Sequence, residues 1–121
     1  MLIRYKKALE KIAMGLLSFM PEHKDIKRLV ETIHTYEADA DWQLYLYKEE
    51  DEYIGAIGFK IIEGTALIQH VTVIPSYRGE GIGKKMVTEL AQLDQYEHIK
   101  FMDETQPFIQ KCMKELNCSE V

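Results

Sequence analysis

His70-Val-Thr-Val-Ile-Pro-Ser-Tyr-Arg-Gly-Glu-Gly-Ile-Gly-Lys-Lys-Met86 is the stretch on which the reading of this chain turns. A β-branched apolar run ends at Pro75, glycines alternate with other residues at 79, 81 and 83, and a helical pattern begins at Ile82. The segment reads as strand, turn, helix. Without Cβ atoms, Gly79, Gly81 and Gly83 can take dihedrals closed to other residues and aim successive N–H groups at one ligand. The helix adds the positive end of its dipole, and Arg78, Lys84 and Lys85 add full charges. Such a turn suits a diphosphate.

Spacing separates the phosphate-binding loops that compete for this segment. A Walker A loop read back from Gly83-Lys84 needs glycine at 78 and Ser or Thr at 85, where the chain has Arg78 and Lys85. A dinucleotide-binding G-x-G-x-x-G read from Gly79 and Gly81 needs glycine at 84, where the chain has Lys84, and no further βαβ unit follows. Both fail. Arg78-x-x-Gly81-x-Gly83, led in by Val73-Ile74-Pro75, resembles the Arg/Gln-x-x-Gly-x-Gly/Ala signature of the GNAT family of acyl-CoA-dependent N-acyltransferases.

The rest of the chain is read outward from that turn. Alternation from Trp42, with Leu44 and Leu46 on one side and Tyr45 and Tyr47 on the other, predicts a strand. Acidic residues Glu49–Glu52 turn it into a second strand, Tyr53–Lys60, and Glu63-Gly64 turns that into a third, Thr65–Ile74. Gly55 and Gly58 weaken the middle strand and permit a bulge or a close backbone approach. Upstream, Leu2–Lys6 reads as a short strand. Leu9, Ile12, Ala13, Leu16 and Met20 recur at helical spacing until Pro21, and Ile26, Leu29, Val30 and Ile33 mark one face of a second helix. Downstream, Ile82, Met86, Val87, Leu90 and Leu93 line the inner face of a third helix. A short strand His98–Met102 follows, then a last helix from Gln106 to Leu116, with Thr105 as its N-cap and Pro107 in its first turn.

The resulting order, β-α-α-β-β-β-α-β-α, is that of the GNAT fold: α/β, or α+β in some schemes, a mixed and mainly antiparallel sheet flanked by helices. The resemblance thus covers most of the chain, read as a single acetyltransferase domain over residues 1–121. It also implies two further strands after the last helix. Only Asn117–Val121 remain there, so the acceptor side is expected to be open or to be completed by a second subunit, a homodimer. The opening Met1–Lys7, the Glu10–Pro21 helix and the short C-terminus resemble, more narrowly, small GNAT-like proteins encoded in bacterial riboflavin operons, which implies a link to riboflavin metabolism.

Composition narrows the remaining classes. A chain of 121 residues, 46% hydrophobic and 29% charged, has the balance of one water-soluble globular domain. No run approaches the roughly 20 apolar residues of a membrane span. The basic residues Arg4, Lys6 and Lys7 before Ile12–Met20 lack the cleavage site of a signal peptide, and a cytoplasmic location is expected. A net charge of −5 argues against general nucleic-acid binding. Cys112 and Cys118 form no metal-site pattern, and no metal is expected. The acidic groups at Glu37, Asp39 and Asp41 and at Glu49–Glu52 are solvated turns or an attraction for a cationic amine.

The resemblance implies that the chain is an acetyltransferase using acetyl-CoA or CoA as cosubstrate and a primary amine, on a small molecule or a protein lysine, as acceptor. Carried over by position, backbone groups of Val71 and Val73 pair with pantetheine. Arg78, Gly79, Glu80, Gly81, Ile82, Gly83 and Lys84 hold the pyrophosphate. His70, one residue before this stretch and with an imidazole that titrates near neutral pH, is the candidate general base. The last helix departs from the family pattern Asn-x-x-Ala-x-x-Phe-Tyr-x-Lys. Aligned on Phe108 and Lys111, the chain has Met102, Thr105 and, at the tyrosine that acts as general acid, Ile109. A thiolate is a stable enough leaving group, with a pKa near about 8.5, for transfer without that acid. The other expectation is a CoA-binding sensor or regulatory module with weak or no transfer. Cys112, one turn beyond Ile109, is expected to be a buried apolar residue.

Overall fold

The structure, a computed structural model, describes residues 1–20, 23–93 and 98–101. Strand β1 (Leu2–Arg4) leads through a 3₁₀ turn into helix α1 (Glu10–Leu17), then α2 (Ile26–Ala38), β2 (Trp42–Glu49), β3 (Glu52–Ile62), β4 (Thr65–Val73), α3 (Ile82–Gln92) and β5 (His98–Phe101). Five strands form one sheet in the order β1-β2-β3-β4-β5. The first four are antiparallel, and β4 pairs with β5 in parallel. This is the expected α/β architecture. The expected helix at Gln106–Leu116, with Ile109 and Cys112, lies outside the described residues.

Local chemistry explains the element ends. Glu63 and Gly64, at φ 48° and 81°, fill the two-residue connection between Ile62 and Thr65, where left-handed dihedrals match the twist of the hairpin. At the start of α2 the Asp25 carboxylate accepts the Lys27 N–H at 2.9 Å, satisfying one donor that the helix leaves free.

Two apolar clusters sandwich the sheet. On one face Ala13, Leu16 and Leu17 of α1 and Leu29, Ile33 and Tyr36 of α2 pack on Leu44, Leu46 and Ala56. On the other, Ile82, Met86, Val87 and Leu90 of α3 pack with Tyr45, Tyr47, Ile57 and Phe59. The alternation expected across β2 is therefore the one observed. The helix stripes differ in detail from the expected ones. Ile26, the first residue of α2, is 70% exposed, because that helix meets the sheet only from Leu29 onward, and Ile12 is also exposed.

The sheet has one irregularity that matters for the site. Gly58 pairs with His70 but Phe59 pairs with Ile68, so Gln69 is an extra residue in β4. Such a bulge reverses the phase of side chains along the strand. Ala66 and Ile68 before it and Val71 and Val73 after it all join the α3 cluster, although strict alternation would separate the two pairs. His70 is thereby turned to the α1/α2 face. There Tyr36 lies across Gly58, and a Cβ built on Gly58 would collide with the Tyr36 hydroxyl and ring. We expect Gly58→Ala to cost about 1–3 kcal/mol through overpacking, seen as a lower urea midpoint at unchanged m. A midpoint equal to the parent's would show that Tyr36 does not depend on the missing side chain.

Candidate active site

After β4 ends at Val73, Pro75 opens a 3₁₀ turn, Pro75–Tyr77, and the chain passes through Arg78 to Gly79 and Gly81 at φ 88° and 79°. A Cβ at either glycine would meet nothing within 4 Å. Conformation, not space, requires glycine here. Gly81 is the N-cap of α3, and the Lys85 N–H donates to the Gly81 carbonyl at 3.0 Å, so the N–H groups of Ile82, Gly83 and Lys84 precede the first bond of the helix. They mark the positive end of an 11-residue dipole.

The charged residues divide their work. Arg78 Nε donates to the Val73 carbonyl at 2.9 Å, tying the turn to the end of β4 and leaving the outer guanidinium nitrogens for a ligand. Lys85 lies 3.6 Å from Glu49, and it lines, together with Lys84, a groove of about 640 Å³ with Gly81, Glu80 and Thr88. Glu80 is exposed, and its carboxylate opposes an anion, so only its N–H suits a phosphate.

The β4 edge meets the turn. Among the described residues, pairing with β5 runs from Thr65 to Ile68 and stops at the bulge. The Ile74 N–H donates to Ile54 of β3, while the Val73 carbonyl is reached by Arg78. Val73 therefore turns its carbonyl away from β3, and with period two so do the N–H and C=O of Val71. Both valine side chains are buried under α3. The expected cofactor residues are thus brought together: two outward-facing backbone positions on β4, then a turn rich in N–H donors.

His70 sits on the opposite face at the same point of the strand. Its Nδ1 lies 2.6 Å from the Tyr36 hydroxyl, and the two rings meet edge to face at 5.7 Å. The buried His23 ring is 5.0 Å away, held through Nδ1 to the Leu17 carbonyl at 3.2 Å and through Nε2 to the Thr32 hydroxyl at 2.9 Å. Burial most of all, with the electrostatic influence of the neighbouring His23 adding to it, presses the His70 pKa from 6.5 to about 4. His70 is uncharged at neutral pH. Tyr36, His23 and Thr32 were absent from the sequence expectations. Tyr36 continues the Leu29 and Ile33 stripe and reads as core; Gly58 was the signal that something approaches β3 closely.

A second cleft, about 450 Å³, opens beside Arg4, Tyr5, Lys7, Tyr36 and Trp42. Glu37 of the acidic group borders it and is already engaged, accepting the Tyr5 hydroxyl at 2.6 Å and facing Lys7 at 3.4 Å. These contacts hold its carboxyl below the usual range, the Tyr5 hydrogen bond most of all. Among the described residues no group of three His, Cys, Asp or Glu could hold a metal, and no helix is long and apolar enough to cross a membrane.

The model of the acetyltransferase (GNAT) family matches residues 11–107. An uncharacterised N-acetyltransferase from Bacillus methanolicus, encoded in the lysA 3′ region, is 50% identical over 113 residues, covering 93% of this chain and 94% of that protein. Among solved structures, AAC(6′)-Iy in complex with the bisubstrate analogue CoA-S-monomethyl-acetylneamine superposes with a TM-score of 0.72 at 16% identity, over 99% of this chain and 90% of that one. A possible acetyltransferase from Clostridium difficile 630 gives 0.77 at 14% identity, over 100% and 91%. At these identities the superpositions establish the fold.

The His70 environment makes stability depend on pH. Its folded pKa, about 4, lies below the ordinary 6.5, so the unfolded chain binds the extra proton. Stability is complete above about pH 6.5 and falls as pH drops toward 4, by at most about 1.4 kcal/mol per pH unit from this group. Urea midpoints of the parent and His70→Gln should diverge across that window. Parallel pH profiles would contradict the environment described.

Proposed function

The chain belongs to the acetyltransferase (GNAT) family, and from that membership we propose that it transfers the acetyl group of acetyl-CoA to a primary amine, on a small molecule or a protein lysine. One observation carries the reading. The outward backbone of Val71 and Val73 runs directly into the Arg78–Lys84 turn, matching a thioester-bearing arm that ends in a diphosphate. The arm would pair with the two valines as a strand does. Its diphosphate would lie against Arg78 and the N–H groups of Gly79, Glu80, Gly81, Ile82, Gly83 and Lys84, with the Lys84 ammonium alongside. The CoA-bearing analogue bound by AAC(6′)-Iy and the name of the Bacillus methanolicus relative support this reading.

In the reaction the amine nitrogen attacks the thioester carbon, an N–C bond forms, the C–S bond breaks, and CoA leaves as thiolate. The proton lost by nitrogen ends on the thiolate or on solvent. Polarisation of the carbonyl falls to a β4 N–H near Val71. His70, one residue before Val71 on β4, is the side chain we assign to this centre. The expected role as general base has a thermodynamic cost, since a group with pKa near 4 is poorly matched to proton removal at pH 7. The amine therefore enters as its free-base fraction.

We read the whole chain as one cytoplasmic domain that pairs with a second copy along a sheet edge. The narrower resemblance at Met1–Lys7 and the α1 segment supports an acceptor linked to riboflavin metabolism.

Calorimetry and amine-dependent CoA release test the proposal together. Gly81→Glu puts a side chain where φ is 79° and a carboxylate beside the diphosphate, and should weaken CoA binding by about tenfold or more. Equal affinity would move the cofactor elsewhere. The rate should rise with pH and level off at the pKa of the amine, with no alkaline fall. Tight CoA binding without release for any amine would favour a CoA-binding regulatory module instead.

A further inference from the structure

The Tyr36–His70 pair has a donor–acceptor logic that the proposed acetyl transfer leaves unused. Among the described residues the only hydrogen-bond partner of the Tyr36 hydroxyl is His70 Nδ1, at 2.6 Å. Tyr36 is buried, and burial raises its pKa, so its oxygen keeps the proton. If His70 carried its proton on Nδ1, two protons would compete for one bond and the buried tyrosine O–H would lack an acceptor, costing about 1–3 kcal/mol. If Tyr36 donates to a bare Nδ1, both groups are satisfied. A neutral His70 then carries its hydrogen on Nε2.

His23 supports the same state. The Leu17 carbonyl can only accept, so His23 Nδ1 donates to it, and His23 Nε2 meets the Thr32 hydroxyl at 2.9 Å. Both nitrogens of the buried His23 thus have partners of their own, so His23 does not compete for His70 Nδ1. Among the described residues, His23, from the connection between α1 and α2, and Tyr36, from α2, are the titratable groups that face His70. Gly58 provides the room for the tyrosine, whose hydroxyl reaches the histidine only because no Cβ stands beneath it.

We infer that Tyr36 is a positioning residue that locks His70 as the Nε2–H tautomer, so that His70 presents an N–H donor, not a lone pair, to the reacting groups. The inference rests on the acetyl-transfer reading for its chemistry. The donor meets the thioester oxygen as negative charge develops there. His70 neither gains nor loses a proton: nitrogen bonds to the acyl carbon, the C–S electron pair leaves with sulfur, and the proton released by nitrogen passes to solvent or thiolate. An uncharged imidazole suits this role, because its N–H remains a donor throughout the working pH range.

The test is a ¹⁵N spectrum of histidine-labelled protein with no acceptor present, read between pH 6 and 9. The wild type should give the Nε2–H pattern for His70 across the range, with Nδ1 shifted by an accepted hydrogen bond. Tyr36→Phe should abolish that Nδ1 shift. An Nδ1–H pattern in the wild type would overturn the lock. Kinetics then test the donor. His70→Ala should lower kcat by about 10²-fold, the low end for a lost oxyanion donor. His70→Gln, which keeps an N–H, should stay within about tenfold of the parent, with KM for acetyl-CoA unchanged in both. Equal losses in Ala and Gln would overturn the donor role. The spectrum needs no substrate, so failure to find any acceptor would count against the acetyl-transfer reading and not against the lock.

Discussion

A single extra residue, Gln69, governs how β4 serves two faces of the sheet at once. Before the bulge the strand is an ordinary member of the sheet, with Ala66 and Ile68 under α3 and pairing to both neighbours. After it, Val71 and Val73 keep the α3 core filled while the described β5 pairing has ended. His70 rotates to the other side. Were Gln69 instead paired as a regular strand residue, strict alternation would turn the imidazole to the apolar α3 cluster and take the valines out of it. The open backbone edge, the polar cluster and the core are thus one consequence of one phase change.

The glycines show why the same residue type has to be argued differently at different places. Gly79 and Gly81 have open space around a notional Cβ but left-handed backbones. They shape the turn that aims N–H groups outward. Gly58 is the opposite case: its site is crowded by Tyr36, and space is the requirement. Gly79 and Gly81 give the turn its left-handed shape, and Gly58 seats the tyrosine that reaches His70.

Much of this was legible in the sequence. Val73-Ile74-Pro75 and Arg78-x-x-Gly81-x-Gly83 located the turn, the hairpin at Glu63-Gly64 located the meander, and alternation in β2 assigned both faces correctly. The His23–Thr32–Tyr36–His70 cluster was not legible, for a physical reason. Its members come from three segments whose meeting depends on the bulge, and a period-two reading of β4 puts His70 on the wrong face. Tyr36, in register with Leu29 and Ile33, carries the pattern of a core residue; only its hydroxyl distinguishes it. Nor could pattern show that Arg78 spends Nε on the Val73 carbonyl.

We propose a division of labour along β4, with cofactor on its free backbone edge and turn and the polar cluster on the far face. Titrating CoA into ¹⁵N-labelled protein and following backbone amide shifts addresses this most directly. The account predicts the largest shifts at Val71, Val73 and Gly79 through Lys84, with Arg4–Lys7 and Trp42–Leu44 nearly unmoved. Shifts centred on the cleft between Arg4 and Trp42, with the turn silent, would contradict it.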